Sequence, residues 1–259
     1  MKQPLSYINP NAKIAKSVVI DPFTSIDGDV VIGEGTCIGS NVSIMDGARI
    51  GKNCNIFPGA VISANPQDLK YDNEKTYVEI GDNVTIRECV TINKGTNDRL
   101  KTVIGNNCLI MAYSHIAHDC FVGDNVILAN NVPLGGHAHV DDNVIIGGNS
   151  AVQQFTRVGK SAMIGGMCGV VRDVIPYGIA LGNRSILQGL NLIGLRRKNI
   201  SNKEIMNLSN AYKEIFKNEN LTENLNNLSN ELRENKLVME VVNFIEKDKK
   251  RPICTPFSK

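Results

Sequence analysis

Large apolar residues recur at every sixth position along most of this chain. Isoleucine holds the position at Ile8, Ile14, Ile20, Ile26, Ile32, Ile38, Ile44, Ile50, Ile56 and Ile62. The same phase returns at Ile80, Ile86 and Ile92, and again from Ile104 through Ile110, Ile116, Val122, Leu128, Leu134 and Val140 to Val170. An amphipathic helix would space its apolar residues three and four apart, and a half-buried strand two apart. A sustained period of six marks a parallel β-helix. Two residues before each large apolar residue stands a small or β-branched one, such as Ala12, Val18, Thr24, Val42, Cys54 or Ala138. Residues two apart on an extended segment share a face, so both point inward. Three residues after the large one comes Asn, Gly or Asp, as at Asn41, Asn53, Asn107, Asn125 and Gly35. Those types tolerate the left-handed backbone that a tight corner needs. One hexad is thus a short strand and a turn, and three hexads close a triangular coil of eighteen residues. Roughly nine such coils, stacked at the strand spacing of about 4.8 Å, give a prism about 40 Å long.

Two stretches break the beat. Residues 63–79 put Asp68 and Glu74 where the apolar residue belongs, and residues 93–103 put Asp98 there. Both are expected to be loops thrown out from the prism, either solvated excursions or carriers of function. After Pro176 the period changes again. The run SILQGLNLIGLRRKN has apolar residues at helical spacing, and Ser201 to Glu204 form a capping box before Ile205, Leu208, Ala211, Tyr212 and Ile215. Leu221–Glu234 and Leu237–Lys247 read as two more helices. The expected division is a β-helix over 1–184 and an α-helical domain over 185–259, the latter at least a cap against edge pairing at the last coil.

Composition agrees with a narrow prism. Of 259 residues, 42% are hydrophobic but only 5% aromatic, and Trp is absent. The net charge of +2 makes no case for nucleic acid. There is no apolar run long enough for a membrane span, and no signal-peptide pattern after Met1-Lys2-Gln3-Pro4. Of seven cysteines, Cys54, Cys108, Cys120 and Cys168 fall in the small inward slot. They read as packing residues of a reducing compartment, which points to the cytoplasm.

All four histidines, His115, His118, His137 and His139, lie within one stretch, and none takes an inward slot. The repeat is unbroken there, so stacking can be counted. His118, Gly136 and Gln154 are spaced by eighteen and should form one column at a corner, with His137 beside Gly136. An imidazole can deprotonate a hydroxyl near neutral pH, and a bare glycine N–H can receive an oxyanion. Other readings stay open at this point. His137 and Asp119 sit in the corner slot and could be turn residues, His115 could be an ordinary exposed residue, and clustered histidines can bind zinc.

The strings NPQDLKY (65–71), SHIAHDC (114–120), ILANNVPLGGH (127–137), IIGGNSAVQQF (145–155) and GNRSILQGLNLIGLRRK (182–198) together sharpen the choice. They resemble the UDP-N-acetylglucosamine O-acyltransferases, hexapeptide-repeat enzymes of lipid A biosynthesis. The resemblance covers nearly the whole chain and implies a left-handed β-helix. It implies transfer of a 3-hydroxyacyl group from acyl carrier protein to the 3-hydroxyl of UDP-N-acetylglucosamine. No cofactor is then expected, since the acyl group arrives on the carrier's phosphopantetheine. It implies a homotrimer with sites between subunits, in which His118 and the Asp68 loop could come from different chains. His118 matches the general base, Asp119 its orienting carboxylate and Gly136 the oxyanion donor. Asp68, Lys70, His115, His137, Gln154, Asn191 and Arg197 match substrate-binding positions. Gly166 matches the position that sets acyl-chain length, and a glycine there leaves room for a long chain. Arg157, Lys160, Arg172, Arg196 and Lys198 are candidates for steering an acidic carrier protein. Two positions depart from the family pattern. Gln153 stands where a histidine is frequent, and Lys198 where an arginine is, which keeps the charge but not the bidentate fork. The competing readings are an acyltransferase on another nucleotide sugar and a zinc-dependent hydrase or binding scaffold on the same prism.

Overall fold

The computed structural model describes residues 5–248 and 251–256. The opening Met1-Lys2-Gln3-Pro4 and the outer limits of the two expected domains lie outside the described residues. Among the described residues, the chain winds through three parallel sheets in rotation. Face 1 has nine strands, from Tyr7–Ile8 to Gly169–Val170. Face 2 has eight, from Lys13–Ile14 to Arg157–Val158. Face 3 has ten, from Val19–Ile20 to Ile186–Leu190. This is the expected parallel β-helix. The isoleucine column fills its axis, with Ile26, Ile62, Ile86, Ile92, Ile110 and Ile116 all fully buried. Cys54, Cys108, Cys120 and Cys168 are buried free thiols, as their slot predicts. Burial pushes Cys108 up to about 11 and Cys120 to about 12, so both stay protonated and inert.

The corners take the predicted left-handed backbone, for example at Asn53, Asn107, Asn125 and Asn143. The corner between faces 2 and 3 carries a ladder of side chains that satisfy turn N–H groups. Lys52 N–H donates to Asp82 Oδ1 at 2.7 Å, Asp82 N–H to Asn106 at 2.8 Å, Asn106 N–H to Asp124 at 2.6 Å and Asp124 N–H to Asp142 at 2.8 Å. Buried or crowded backbone donors need such partners, and here each coil supplies them to the one before.

The register explains why two loops leave the phase intact. Regular neighbours are eighteen apart, as in Ser25 with Ser43. Val61 pairs with Thr91, thirty on, and Tyr77 with Lys101, twenty-four on. The first loop thus adds two hexads and the second one hexad, which accounts for the missing beats at 68, 74 and 98. Both loops are shorter than expected. Strands extend through Ala64 and from Tyr77, and through Asn93 and from Lys101, leaving residues 65–76 and 94–100 outside the sheets. Val78 and Thr102 take inward positions, which recovers part of each expected loop for the core.

The C-terminal part differs from expectation at two places. The helix expected from Ser185 is instead a strand, Ile186–Leu190, antiparallel to Gly178–Leu181, and the prism closes on this hairpin. The segment ILQGL buries Leu187 against the last coil, and Gly189 adopts a φ of +133° that a helix does not allow. Helix α1 spans only Leu192–Arg197. Helix α2, Asn202–Ile215, starts at the predicted capping box of Ser201 and Glu204. The helix expected over Leu221–Glu234 is two short ones, α3 at Leu221–Asn226 and α4 at Asn230–Arg233. Ser229 restarts the chain by accepting from the Leu232 N–H, which breaks the run. Helix α5 is Lys236–Lys247.

The helices are tied to the prism by charged groups. Arg157 was a candidate surface cation, yet its Nε donates to buried Asp173 at 2.6 Å and its other nitrogens to the carbonyls of Phe244 and Asp248. Its guanidinium also lies over the Phe244 ring. Lys160 pairs with Glu240 at 3.2 Å, and the Tyr177 hydroxyl bonds the same carboxylate. These two cations therefore hold α5 in place rather than face a partner. Among the described residues no helix is long and apolar enough to cross a membrane.

Candidate active site

The predicted column forms at the corner between faces 1 and 2. His137 N–H donates to the His118 carbonyl at 3.0 Å, and Phe155 N–H to the Gly136 carbonyl at 3.0 Å. His118, Gly136 and Gln154 therefore follow one another from coil to coil, with Gln154 exposed. The His118 ring lies so close over Gly136 that a Cβ there would stand 2.6 Å from Nε2. Among the described residues nothing accepts the Gly136 N–H.

His118 Nδ1 is 2.8 Å from Asp119 Oδ2. Asp119 is fully buried and also accepts from Thr96 N–H at 3.0 Å, Thr96 Oγ1–H at 2.6 Å and Arg99 N–H at 3.2 Å. Burial pushes its carboxyl up, but the bonds from His118 and Thr96 outweigh that and hold it at about 2. An ionised Asp119 keeps the proton of a neutral His118 on Nδ1 and leaves Nε2 as the free acceptor. Nε2 faces the first loop, 3.9 Å from Asp68 Oδ2. Asp68 shapes that loop by accepting from Lys70 N–H at 3.0 Å, and Lys70 itself is exposed. Asp68 and His118 thus meet within one chain, so this pair does not need the second subunit that the resemblance left open.

His137 meets the site edge-on. Its ring is 5.1 Å from that of His118 at 89° and stacks on Phe155 at 4.4 Å. Phe155 takes the corner's left-handed φ, +62°, a strained backbone for a bulky residue. Nδ1 of His137 lies 3.1 Å from Asp98 Oδ2 without hydrogen-bond alignment. Burial pushes the imidazole down, which favours its neutral form. His115, on the strand His115–Ile116, bonds Thr91 Oγ1 through Nδ1 at 2.7 Å and is likewise pushed down by burial, with the His118 charge adding to it.

The other expected residues stand on different edges of the prism. Asn191 caps α1 by accepting from Gly194 N–H at 3.0 Å and donates to the Ser161 carbonyl at 3.1 Å, at the corner between faces 2 and 3. Arg197 is exposed on α1. Gly166 is exposed at the corner between faces 3 and 1, where a Cβ would meet only the Gly148 carbonyl, at 3.3 Å. Among the described residues no contact joins these three to His118. The second loop contributes more than the broken beat predicts. Thr96, Asp98 and Arg99 all serve the histidines, although only Asp98 was marked by the broken beat.

His118, Asp119 and His137 lie within the reach of a single metal ion, with ligand atoms inside 4.8 Å of one another. The Asp119 carboxylate is already engaged, however. Asp119 Oδ1 accepts two N–H groups and Oδ2 accepts Thr96 and His118, so a metal would have to displace bonds that hold the second loop. The set fits a base and its orienting carboxylate better than a ligand cage.

Comparisons with known proteins agree with this geometry. Residues 173–254 match the family model described as UDP N-acetylglucosamine O-acyltransferase, domain 2, and residues 11–44, 29–64 and 101–136 match the bacterial transferase hexapeptide model. An acyl-[acyl-carrier-protein]–UDP-N-acetylglucosamine O-acyltransferase of Rhizobium rhizogenes is 42% identical over 197 residues, 75% of this chain and 73% of that protein. The chain belongs to the UDP-N-acetylglucosamine O-acyltransferase family. The crystal structure of the Bacteroides fragilis UDP-N-acetylglucosamine acyltransferase superposes with a TM-score of 0.92 at 43% identity, covering 98% of this chain and 99% of that one. The corresponding Acinetobacter baumannii protein gives 0.94 at 39% identity, covering 97% and 98%. The prism is accordingly the left-handed β-helix of the UDP-N-acetylglucosamine O-acyltransferases. Of the two departures from the family pattern, Gln153 is exposed, while Lys198 donates to Ser161 Oγ at 2.8 Å. Burial pushes the Lys198 ammonium down, and the nearby Lys160 adds to the shift.

Proposed function

We propose that this chain transfers a 3-hydroxyacyl group from acyl carrier protein to the 3-hydroxyl of UDP-N-acetylglucosamine, opening lipid A biosynthesis in the cytoplasm. The observation that carries this reading is the His118–Asp119 pair poised over the free N–H of Gly136. His118 Nε2 takes the proton of the sugar hydroxyl as that oxygen attacks the thioester carbonyl. The C–O bond forms and the carbonyl becomes an oxyanion, which the Gly136 N–H receives. Collapse breaks the C–S bond, and the protonated His118 returns the proton to the departing phosphopantetheine thiolate. Asp119 stays ionised throughout and holds the ring in its tautomer. No resident cofactor is needed, because the carrier delivers an activated acyl group.

The reading includes a homotrimer with sites between subunits. In its support, Asn191, Arg197 and Gly166 stand on edges other than that of His118, so one site needs residues from two copies. The candidate cations left for an acidic carrier protein are Arg196 on α1 and Lys198 at its C-cap, both exposed, together with Arg172. The test is mass spectrometry of the product from UDP-N-acetylglucosamine and a mixed acyl carrier protein pool. The expected product is a UDP-sugar heavier by one 3-hydroxyacyl group, labile to base as an ester. No acylated UDP-N-acetylglucosamine under conditions where another nucleotide sugar is acylated would overturn the assignment of the acceptor.

A further inference from the structure

Lys94 stands one coil before His118. Thr91 pairs with His115 and Ile92 with Ile116, so the residue two past Ile92 falls in the column of the residue two past Ile116. Its backbone N–H bonds the Ala64 carbonyl, where the first loop leaves the prism. The ammonium lies 5.9 Å over the ring of Tyr71. Tyr71 belongs to the same loop as Asp68, and its N–H closes the turn on the Asp68 carbonyl at 3.0 Å. Lys94 is half-buried, and among the described residues neither a carboxylate nor a hydrogen-bond acceptor engages its Nζ. Among the described residues the other half-buried lysine, Lys160, has such a partner in Glu240.

The column gives this cation a direction. Gly136, the oxyanion donor, lies one coil after His118, and Lys94 lies one coil before it. The acyl carbonyl must sit on the Gly136 side, so Lys94 faces the acceptor. Around His118 stand the carboxylates of Asp68 and Asp98 from the two loops and of Asp119 from the corner, a surrounding hostile to a phosphate unless a cation offsets it. We propose that Lys94 binds the diphosphate of the nucleotide-sugar acceptor and so holds that acceptor in the site. This rests on the acceptor assigned above.

The test uses Lys94→Met, which keeps the apolar stem against Tyr71 and removes the charge, and Lys94→Arg, which restores it. Binding of UDP-N-acetylglucosamine and of uridine is measured for the full chain alongside steady-state kinetics. A charge-assisted contact predicts that Lys94→Met weakens UDP-N-acetylglucosamine roughly 10- to 100-fold. Uridine binding and kcat should stay within about threefold, and Lys94→Arg should recover most of the affinity. Equal losses for uridine and the UDP-sugar would mean that Lys94 only braces the loop, and a fall in kcat at unchanged affinity would mean that it tunes His118. Either result overturns the proposal. If the wild-type chain itself fails to bind UDP-N-acetylglucosamine, the acceptor assignment fails instead, which is a separate and recognisable outcome.

Discussion

The His118 imidazole occupies the space a side chain at Gly136 would fill, with Nε2 2.6 Å from the position of the missing Cβ. Two functions meet at that one bare residue. It admits the base, and it exposes the N–H that the base's product needs. Gly136→Ala should therefore displace the ring and screen the donor together. We expect kcat to fall about 10²- to 10³-fold, the usual cost of an oxyanion donor, with the thermal unfolding midpoint little changed. Steady-state kinetics beside a melting curve checks this, and an alanine variant with near-normal turnover would remove Gly136 from the mechanism.

Asp119 sets the tautomer of His118 from a fully buried position. Asp119→Asn keeps the shape but takes away the negative charge that holds the proton on Nδ1. Turnover should drop by about 10²- to 10⁴-fold. The same carboxyl links folding to pH. It titrates at about 2 in the folded chain, below its ordinary value of about 3.9. A depressed pKa contributes stability that is complete above the unfolded value and is lost as pH falls toward the folded one. The stability gap between wild type and Asp119→Asn should accordingly be widest above pH ~5 and shrink as pH falls to ~3. Urea unfolding at a series of pH values measures it, and a gap independent of pH would deny Asp119 its charge-based role.

Gly166 leaves an open strip at the corner between faces 3 and 1, with only the Gly148 carbonyl near its missing side chain. A longer side chain there would fill the strip without disturbing the core. Gly166→Met is expected to shift the preferred acyl chain shorter by several carbons. Loss of about 0.8 kcal/mol for each methylene denied burial gives roughly a fourfold change per carbon in kcat/KM. Competition between acyl carrier proteins of different chain length reads this directly, and unchanged selectivity would place the chain elsewhere.

The prism was legible because every hexad repeats the same demand. Ile26, Ile62 and Ile116 answer one question at different coils, and an error at one would stand out against the rest. The whole-hexad length of both loops let the phase survive them. The column of His118, Gly136 and Gln154 followed from counting alone. Lys94 did not, since its place beside His118 depends on knowing that the second loop adds six residues. The grip of Thr96 and Arg99 on Asp119 was also hidden, because it arises from an irregular loop with no period to count. The Gly178–Leu190 hairpin was missed for a different reason. ILQGL satisfies helical and extended patterns alike, and only the edge of the last coil decides between them. Arg157 looked like a surface charge by composition, and its pairing with Asp173 is a contact no local pattern announces.

The proton acceptor is the centre of the mechanism, and His118→Ala tests it most directly. Single-turnover acyl transfer is measured with UDP-N-acetylglucosamine and acyl carrier protein, together with the affinity for the UDP-sugar. The rate constant is predicted to fall about 10²- to 10⁴-fold while that affinity stays within a few-fold. Transfer at near wild-type rate in the alanine variant would contradict the assignment of His118 as the base.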